Sequence, residues 1–354
     1  MKTPLVRLVS VFSLILVLAL ALAACGSQST TNTTSTGPTT VHLGYFPNLT
    51  HAVAIVGYER GTFQQALGSN VKLVATTFNA GPAEIEALNA GSIDIAYVGP
   101  SPAISGYVKS KGADLRVIAG ASSGGVLFVV RPAANITTAK DLANKKIADP
   151  QQGGTQDISL RYYLKQNGLT PADKGGNVQI VPTDNATILT LFKAGKIDGA
   201  WVPEPWATRL AVEGKGKIFL DERTLWPNGK FVTTNVVVRK AFMDQHPDLV
   251  NKFLQAHVDT VQWILSNPDN AKSIVNSEIK RITGKGILAS ELDLAWTNLD
   301  ITYDPLTSSL YQSADRAFSL GFLGSSKPDL TGIYNLGLIN QVLTSKGLAT
   351  IQGS

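Results

Sequence analysis

One nine-residue stretch occurs twice in this chain. Ala90-Gly-Ser-Ile-Asp-Ile-Ala-Tyr-Val98 aligns with Ala194-Gly-Lys-Ile-Asp-Gly-Ala-Trp-Val202 at a constant offset of 104, and six of the nine positions are identical. Each copy follows a helical pattern, PAEIEALNAG or NATILTLFKAG, and runs into a Pro-containing turn, GPSP at 99–102 or PEPW at 203–206. Gly91 and Gly195 fit helix C-caps, so part of the likeness is a common helix-to-strand turn. Both copies nevertheless end in a loop of unusual composition at a strand's carboxyl end, where open α/β sheets put their ligands. Two such units with facing loops predict two lobes and a cleft.

The rest of the sequence repeats this grammar. VHLGYF (41–46), VKLVATTF (71–78), IDIAYV (93–98), LRVIAGA (115–121) and VLFVVR (126–131) read as strands. KKIAD (145–149), VQIVP (178–182), DGAWV (198–202), KIFL (217–220) and FVTTNVVVR (231–239) continue them. Continuous apolar strands separated by helical patterns, here at 155–168, 184–195 and 204–213, imply parallel sheets covered on both faces. The expected class is α/β, with three-layer α/β/α lobes. After 239 the chain turns helical: 246–279 reads as helical with Pro247 in a first turn, and further helices fit 289–298, 306–321 and 330–346. VLFVVR and FVTTNVVVR are the expected crossings between lobes, giving 41–127 plus 236–354 as lobe one and 128–235 as lobe two. Paired crossings make a hinge that closes around a ligand.

The first residues bear on the compartment. Lys2 and Arg7 precede an apolar run, Leu8 to Ala24, broken only by Ser10 and Ser13. That is a secretory signal, short for a bilayer span. It ends in Leu22-Ala23-Ala24-Cys25-Gly26, which resembles a bacterial lipobox and makes residues 1–24 a lipoprotein signal and Cys25 a lipidated N-terminus on the extracytoplasmic face. Cys25 is the sole cysteine, so no intramolecular disulfide forms. GSQSTTNTTSTGPTT (26–40) has no charge and little to bury, and with Cys25 it forms a flexible tether, 25–40.

Several function classes drop out. Losing Lys2 and Arg7 lowers the formal charge from +5 to +3, and no Lys/Arg block with interleaved aromatics marks a nucleic-acid surface. No second long apolar run suggests a permease. G-x-S-x-G, H-E-x-x-H, a phosphate loop and a dinucleotide fingerprint are all missing. With four histidines and one cysteine the catalytic inventory is thin, and no enzyme is expected.

YFPNLTHAVAIVGYERGTF (45–63), FNAGPAEIEALNAGSIDIAYVGPSP (78–102), GGTQD (153–157) and GAWVPEPWATRL (199–210) together resemble the solute-binding proteins of ABC importers for sulfonates, nitrate and taurine. Relatives bind pyrimidine precursors of thiamin. The likeness spans essentially the whole mature chain. It implies a periplasmic-binding fold of the two-crossing, type II kind, a monomer that closes on a small anion and docks on a membrane permease, with no cofactor.

Within that frame particular residues become candidates. Ser101 in GPSPA sits at an expected helix N-cap, where hydroxyl and backbone N–H groups converge on one positive spot; it binds an oxyanion or simply caps. Gly154, Thr155 and Gln156 in GGTQD repeat the device in the second lobe. Phe46, Asn48 and His51 follow the first strand and either reach the cleft or pack; His51 has no clustered partner for a metal. Phe78 and Gly81 form the matching loop after the second strand. Trp201, Glu204 and Trp206 offer an apolar platform and a carboxylate, or else pack and cap. If Glu204 faces the cleft it disfavours a bare anion such as nitrate and favours a zwitterion or a cationic heterocycle; if it faces solvent or an arginine such as Arg209, an alkanesulfonate remains easy, with nitrate or bicarbonate as the alternative solute.

Overall fold

A computed structural model describes residues 39–352 of the chain; the expected signal segment, Cys25 and the tether up to residue 38 lie outside the described residues. The strands are β1 (Thr39–Tyr45), β2 (Val71–Thr77), β3 (Ile95–Val98), β4 (Leu115–Gly124), β5 (Val126–Val130), β6 (Lys146–Asp149), β7 (Gln179–Pro182), β8 (Gly199–Pro203), β9 (Lys217–Asp221), β10 (Val232–Arg239) and β11 (Leu299–Ile301). The first seven helices are α1 (Ala52–Glu59), α2 (Thr62–Leu67), α3 (Gly81–Asn89), α4 (Pro100–Lys109), α5 (Thr155–Gln166), α6 (Asn185–Lys193) and α7 (Trp206–Val212). After β10 come α8 (Lys240–Gln245), α9 (Pro247–Ser266), α10 (Pro268–Thr283), α11 (Ala289–Trp296), α12 (Thr307–Ser319) and α13 (Gly337–Ser345).

Two sheets result. The first has the order β11-β4-β10-β3-β1-β2 and the second β7-β6-β8-β5-β9. In each, the strand next to the repeat strand runs antiparallel: β10 against β3 and β4, β5 against β8 and β9. Both faces of both sheets are covered. Ile95 and Tyr97 point into one apolar cluster and Ala96 and Val98 into another; Phe128 and Val130 do the same opposite Leu127 and Val129. This two-sided burial is why these strands read as unbroken apolar runs. Truncating Phe128 to Ala would cost about 3–5 kcal/mol.

The repeat is a structural device carried through atom by atom. Leu43 pairs with Ile95 as Ile147 pairs with Gly199, each partner displaced by 104. The Asp94 carboxylate accepts the His42 N–H at 3.0 Å and Arg239 at 2.6 Å; Asp198 accepts the Lys146 N–H at 2.9 Å and Arg131 at 3.2 Å. The aspartate of A-G-x-I-D thus ties three strands together. Gly91 and Gly195 hold φ of 74° and 69°, the left-handed conformation that turns helix into strand and that side chains resist.

The chain changes sheet twice. β4 ends in the first sheet at Gly124 and β5 opens in the second at Val126, across Gly124 and Gly125 at φ 71° and 70°. Residues 222–231 make the return, and β10 lies in the first sheet from Val232 onward.

Three local expectations differ. The 246–279 stretch breaks at Asn267-Pro268, because Pro268 cannot donate to the turn before it. The last helix begins at Gly337 and not at 330: Pro328 precedes and Gly332 at φ 85° interrupts, so Tyr334 bridges to Val117 instead. β11, three residues on the sheet edge, had no sequence signal. Among the described residues no helix is long and apolar enough to cross a membrane.

Candidate functional site

A cavity lies where the carboxyl ends of the two sheets meet. Five pairs of its lining residues are separated by 104 in sequence: Phe46 and Pro150, Thr50 and Gly154, His51 and Thr155, Gly81 and Asn185, Gly99 and Pro203. The two halves therefore present matched positions, one from each sheet, with Thr233 and Thr234 of β10 between them. Asn48, Asn79, Gln151 and Gln156 complete the polar wall.

Helix N-termini aim at this space. α3 opens at Gly81, α4 at Pro100 behind an N-cap Gly99, α5 at Thr155 behind Gly154, and α6 at Asn185. They do not contribute alike. Pro100 and Pro102 remove two donors from the start of α4, whereas Thr155, Gln156 and Asp157 precede the first bond of α5, Ile158 N–H to Gly154 O at 3.1 Å. The α5 end is therefore the strongest source of free N–H groups and of helix-dipole potential. Its turn is braced from below: Gly153 N–H donates to Asp157 at 2.8 Å, and Arg161 bonds Asp157 at 2.6 Å. Burial nonetheless pushes the carboxyls of Asp157 and its wholly buried neighbour Asp149 upward.

No lining residue is Asp, Glu, Lys or Arg. Polarity comes from neutral groups, three of which, Thr155 Oγ1, Asn185 Oδ1 and Thr234 Oγ1, are buried with no protein partner. Such groups are costly unless something else bonds them. His51 adds a fixed donor. Its Nδ1 accepts the Phe46 N–H at 3.3 Å, which leaves the ring proton on Nε2, and burial lowers its pKa to about 3. The cavity volume is about 30 Å³, room for the oxygens of a compact group.

The expected site residues divide. Phe46, Asn48, His51, Gly81, Gly154, Thr155 and Gln156 line the cavity together. Ser101 does not: the N-cap is Gly99, because the fixed φ of Pro100 suits the first helical position, and Ser101 turns toward a neighbouring chamber. Phe78 packs half-buried against the core beside α3. Trp201 is wholly buried in the second sheet's core, stacked on Phe128 at 5.2 Å, its Nε1 bonded to Glu222 at 2.7 Å. Glu204 and Trp206 lie outside the cavity and brace it. Trp206 Nε1 donates to Asn48 Oδ1 at 2.9 Å, and Glu204 O accepts the Leu49 N–H at 3.0 Å. The Glu204 carboxylate accepts from Thr208 N–H and Oγ1 and from Asn298 Nδ2, at 3.0, 2.9 and 2.7 Å. Burial raises its pKa to about 7 against those three bonds.

Sequence reasoning missed Asn79, Gln151, Asn185, Thr233 and Thr234. Asn185 was within reach, since the offset of 104 applied to Gly81 lands on it. Among the described residues no group of three metal-ligating side chains occurs.

Comparison with known proteins agrees with this architecture. A model of the NMT1-like family matches residues 34–278. The taurine-binding periplasmic protein of Escherichia coli K12 is 30% identical over 217 residues, 61% of this chain and 64% of that protein, just under two thirds of its length. A putative aliphatic sulfonates-binding protein of Bacillus subtilis 168 is 26% identical over 269 residues, 75% of this chain and 77% of its own. In structure, the alkanesulfonate-binding protein of Xanthomonas axonopodis pv. citri, bound to MOPS, superposes with a TM-score of 0.71 at 17% identity, covering 85% of this chain and 99% of that one.

Proposed function

The chain belongs to the NMT1-like family, and we propose that it is the extracytoplasmic solute-binding component of an ABC importer, taking an aliphatic sulfonate or a close relative between its two lobes. The observation that carries this is the neutral cavity at the α5 N-terminus, with Thr155, Asn185 and Thr234 unpartnered around it. A helix N-terminus with fixed N–H and O–H donors welcomes an oxyanion without a countercharge. Relatives named for taurine and aliphatic sulfonates support the same class. On this reading the lobes are 39–124 with 232–352 and 126–221, Gly124-Gly125 and 222–231 are the hinge, and Cys25 anchors the binder beside its permease.

Glu204 decides between ligands. It faces Asn298 and Thr208, and no carboxylate lines the cavity to pair with an ammonium. Ethanesulfonate should therefore bind at least as tightly as taurine. A bare oxyanion such as nitrate is the second reading, favoured by the small volume.

Calorimetry with ethanesulfonate, taurine and nitrate tests the assignment; no heat with any of them rejects it. Thr155→Val should weaken the bound anion about 10- to 100-fold by removing one hydrogen bond to a charge. Mass spectrometry of the N-terminal peptide, with a Cys25→Ser control, tests the anchor.

A further inference from the structure

Arg316, near the end of α12, reaches away from its own helix to the flank of α5. Its guanidinium sits 3.6 Å from the centre of the Trp226 ring and 5.0 Å from that of Tyr162, and Nη2 donates to the Leu225 carbonyl at 3.0 Å. Tyr162 belongs to α5. Trp226 lies in the return segment but packs in the second sheet's core, nearly parallel to Phe231. Among the described residues these partners of the guanidinium all fall outside 39–124 and 232–352. Two cations cross the same contact in the opposite sense: Lys165 Nζ donates to Ser319 O at 2.6 Å, and Arg161 sits 5.7 Å from the Phe322 ring. Lys165 is exposed and Arg161 is committed to Asp157 and Asp173.

Behind Trp226 lies a buried carboxylate. Glu222 accepts from Ser159 Oγ of α5 at 2.7 Å, from Trp201 Nε1 at 2.7 Å and from Trp226 Nε1 at 3.3 Å, and all three donors are neutral. Burial pushes its carboxyl upward, and the bonds from Ser159 and Trp201 and the Arg316 charge oppose that shift. The second sheet's side therefore buries a negative charge beside α5, and the first sheet's side supplies the cation. A guanidinium on aromatic faces gains most when water is excluded, and it loses that gain when the faces move away. Tyr162 is also seven residues, about two turns, beyond Thr155 on one helix. The helix that presents its N-terminus to the cavity is thus gripped along its flank.

Resting on the two-lobe reading above, we infer that Arg316 is a positioning residue for solute capture: it latches the first lobe onto Tyr162 and Trp226 and so holds the α5 N-terminus in place over the bound anion. It touches no solute itself. Rotation of the lobes carries the guanidinium off Tyr162, so the latch acts on how long the closed form lasts and hence on release.

Ethanesulfonate affinity by calorimetry and its release rate by stopped-flow displacement test this. Arg316→Ala should weaken binding about 10-fold, nearly all of it as faster release. Arg316→Lys, which keeps the charge without the flat fork, should lose only about threefold. Tyr162→Leu should cost about threefold alone and nothing further in the Arg316→Ala background, where the ring has no cation to hold. Native affinity and release in Arg316→Ala overturn the latch. So does a loss that is equal in the alanine and lysine variants, or one that adds to that of Tyr162→Leu, since either marks a residue that only stabilises the fold. If no solute binds the unaltered protein, the parent reading fails, and small-angle scattering without ligand then judges the latch: a larger radius in Arg316→Ala supports it and an equal radius overturns it.

Discussion

The two copies of the repeat match as far as Val98 and Val202 and then diverge. In the first, GPSP leaves a bare backbone at Gly99, pressed against the far side of the cleft with no bond across it; a Cβ there would meet Thr155 Oγ1 at 2.2 Å. In the second, PEPW puts Pro203 at the matched position and follows it with Glu204 and Trp206, both bonded to the first sheet's side of the cleft. One turn makes an unbonded contact and the other a strut that holds. A duplicated unit keeps its helix, strand and aspartate tie, and specialises through the four residues after the strand.

Gly99→Ala attacks the unbonded contact directly. Overpacking by one methyl at that contact should weaken ethanesulfonate about 10- to 100-fold, with the ligand-free unfolding midpoint unchanged because φ at Gly99 is an ordinary −67°. Small-angle scattering should show a larger radius in saturating ligand, and adding Thr155→Gly should restore it. Unchanged affinity would mean that this turn does not limit closure.

Glu204 on the strut and His51 in the cavity wall should tilt stability in opposite senses. Glu204 titrates near 7 when folded and at 4.5 otherwise, so its penalty is absent at low pH, grows as pH rises between those values, and reaches roughly 3 kcal/mol above them. His51, lowered to about 3 from 6.5, loses stability as pH falls through that window. Urea unfolding across the range should show Glu204→Gln flattening the upper slope and His51→Asn the lower. Trp206→Phe keeps the packing and removes the bond to Asn48, at a cost of about 1 kcal/mol in the same assay. The smallest effect belongs to Ser101→Ala, which should move ethanesulfonate affinity less than about twofold, since the hydroxyl is outside the cavity; a large loss would reassign the first turn to head-group binding.

The sequence exposed the scaffold well because two-sided burial writes strands as apolar runs and glycine C-caps punctuate them. It exposed the site unevenly. Gly154, Thr155 and His51 were legible from turn and helix-start chemistry, which is local. Trp201 and Trp206 were not, because an apolar residue in a strand covered on both sides gives no sign of which cluster it enters, and the partner of Trp206 is Asn48, 158 positions away. Ser101 was misplaced by two cap positions, a matter of which side of Pro100 the helix begins. Thr233 and Thr234 entered through the return strand, whose seat beside the cleft depends on a pairing made over a hundred residues apart.

That return strand also sets an order of assembly. β10 is interior to the first sheet, wedged between β3 and β4, while all strands of the second sheet fall within 126–221. A chain threaded outward from its N-terminus can complete the second sheet while the first still lacks a central member. Residues 39–124 must then wait, unsealed, for 232–239 to emerge, and such long-range closure is slow and exposes apolar edges. The half of the molecule built first in sequence is finished last, and it is the half that would most need a chaperone.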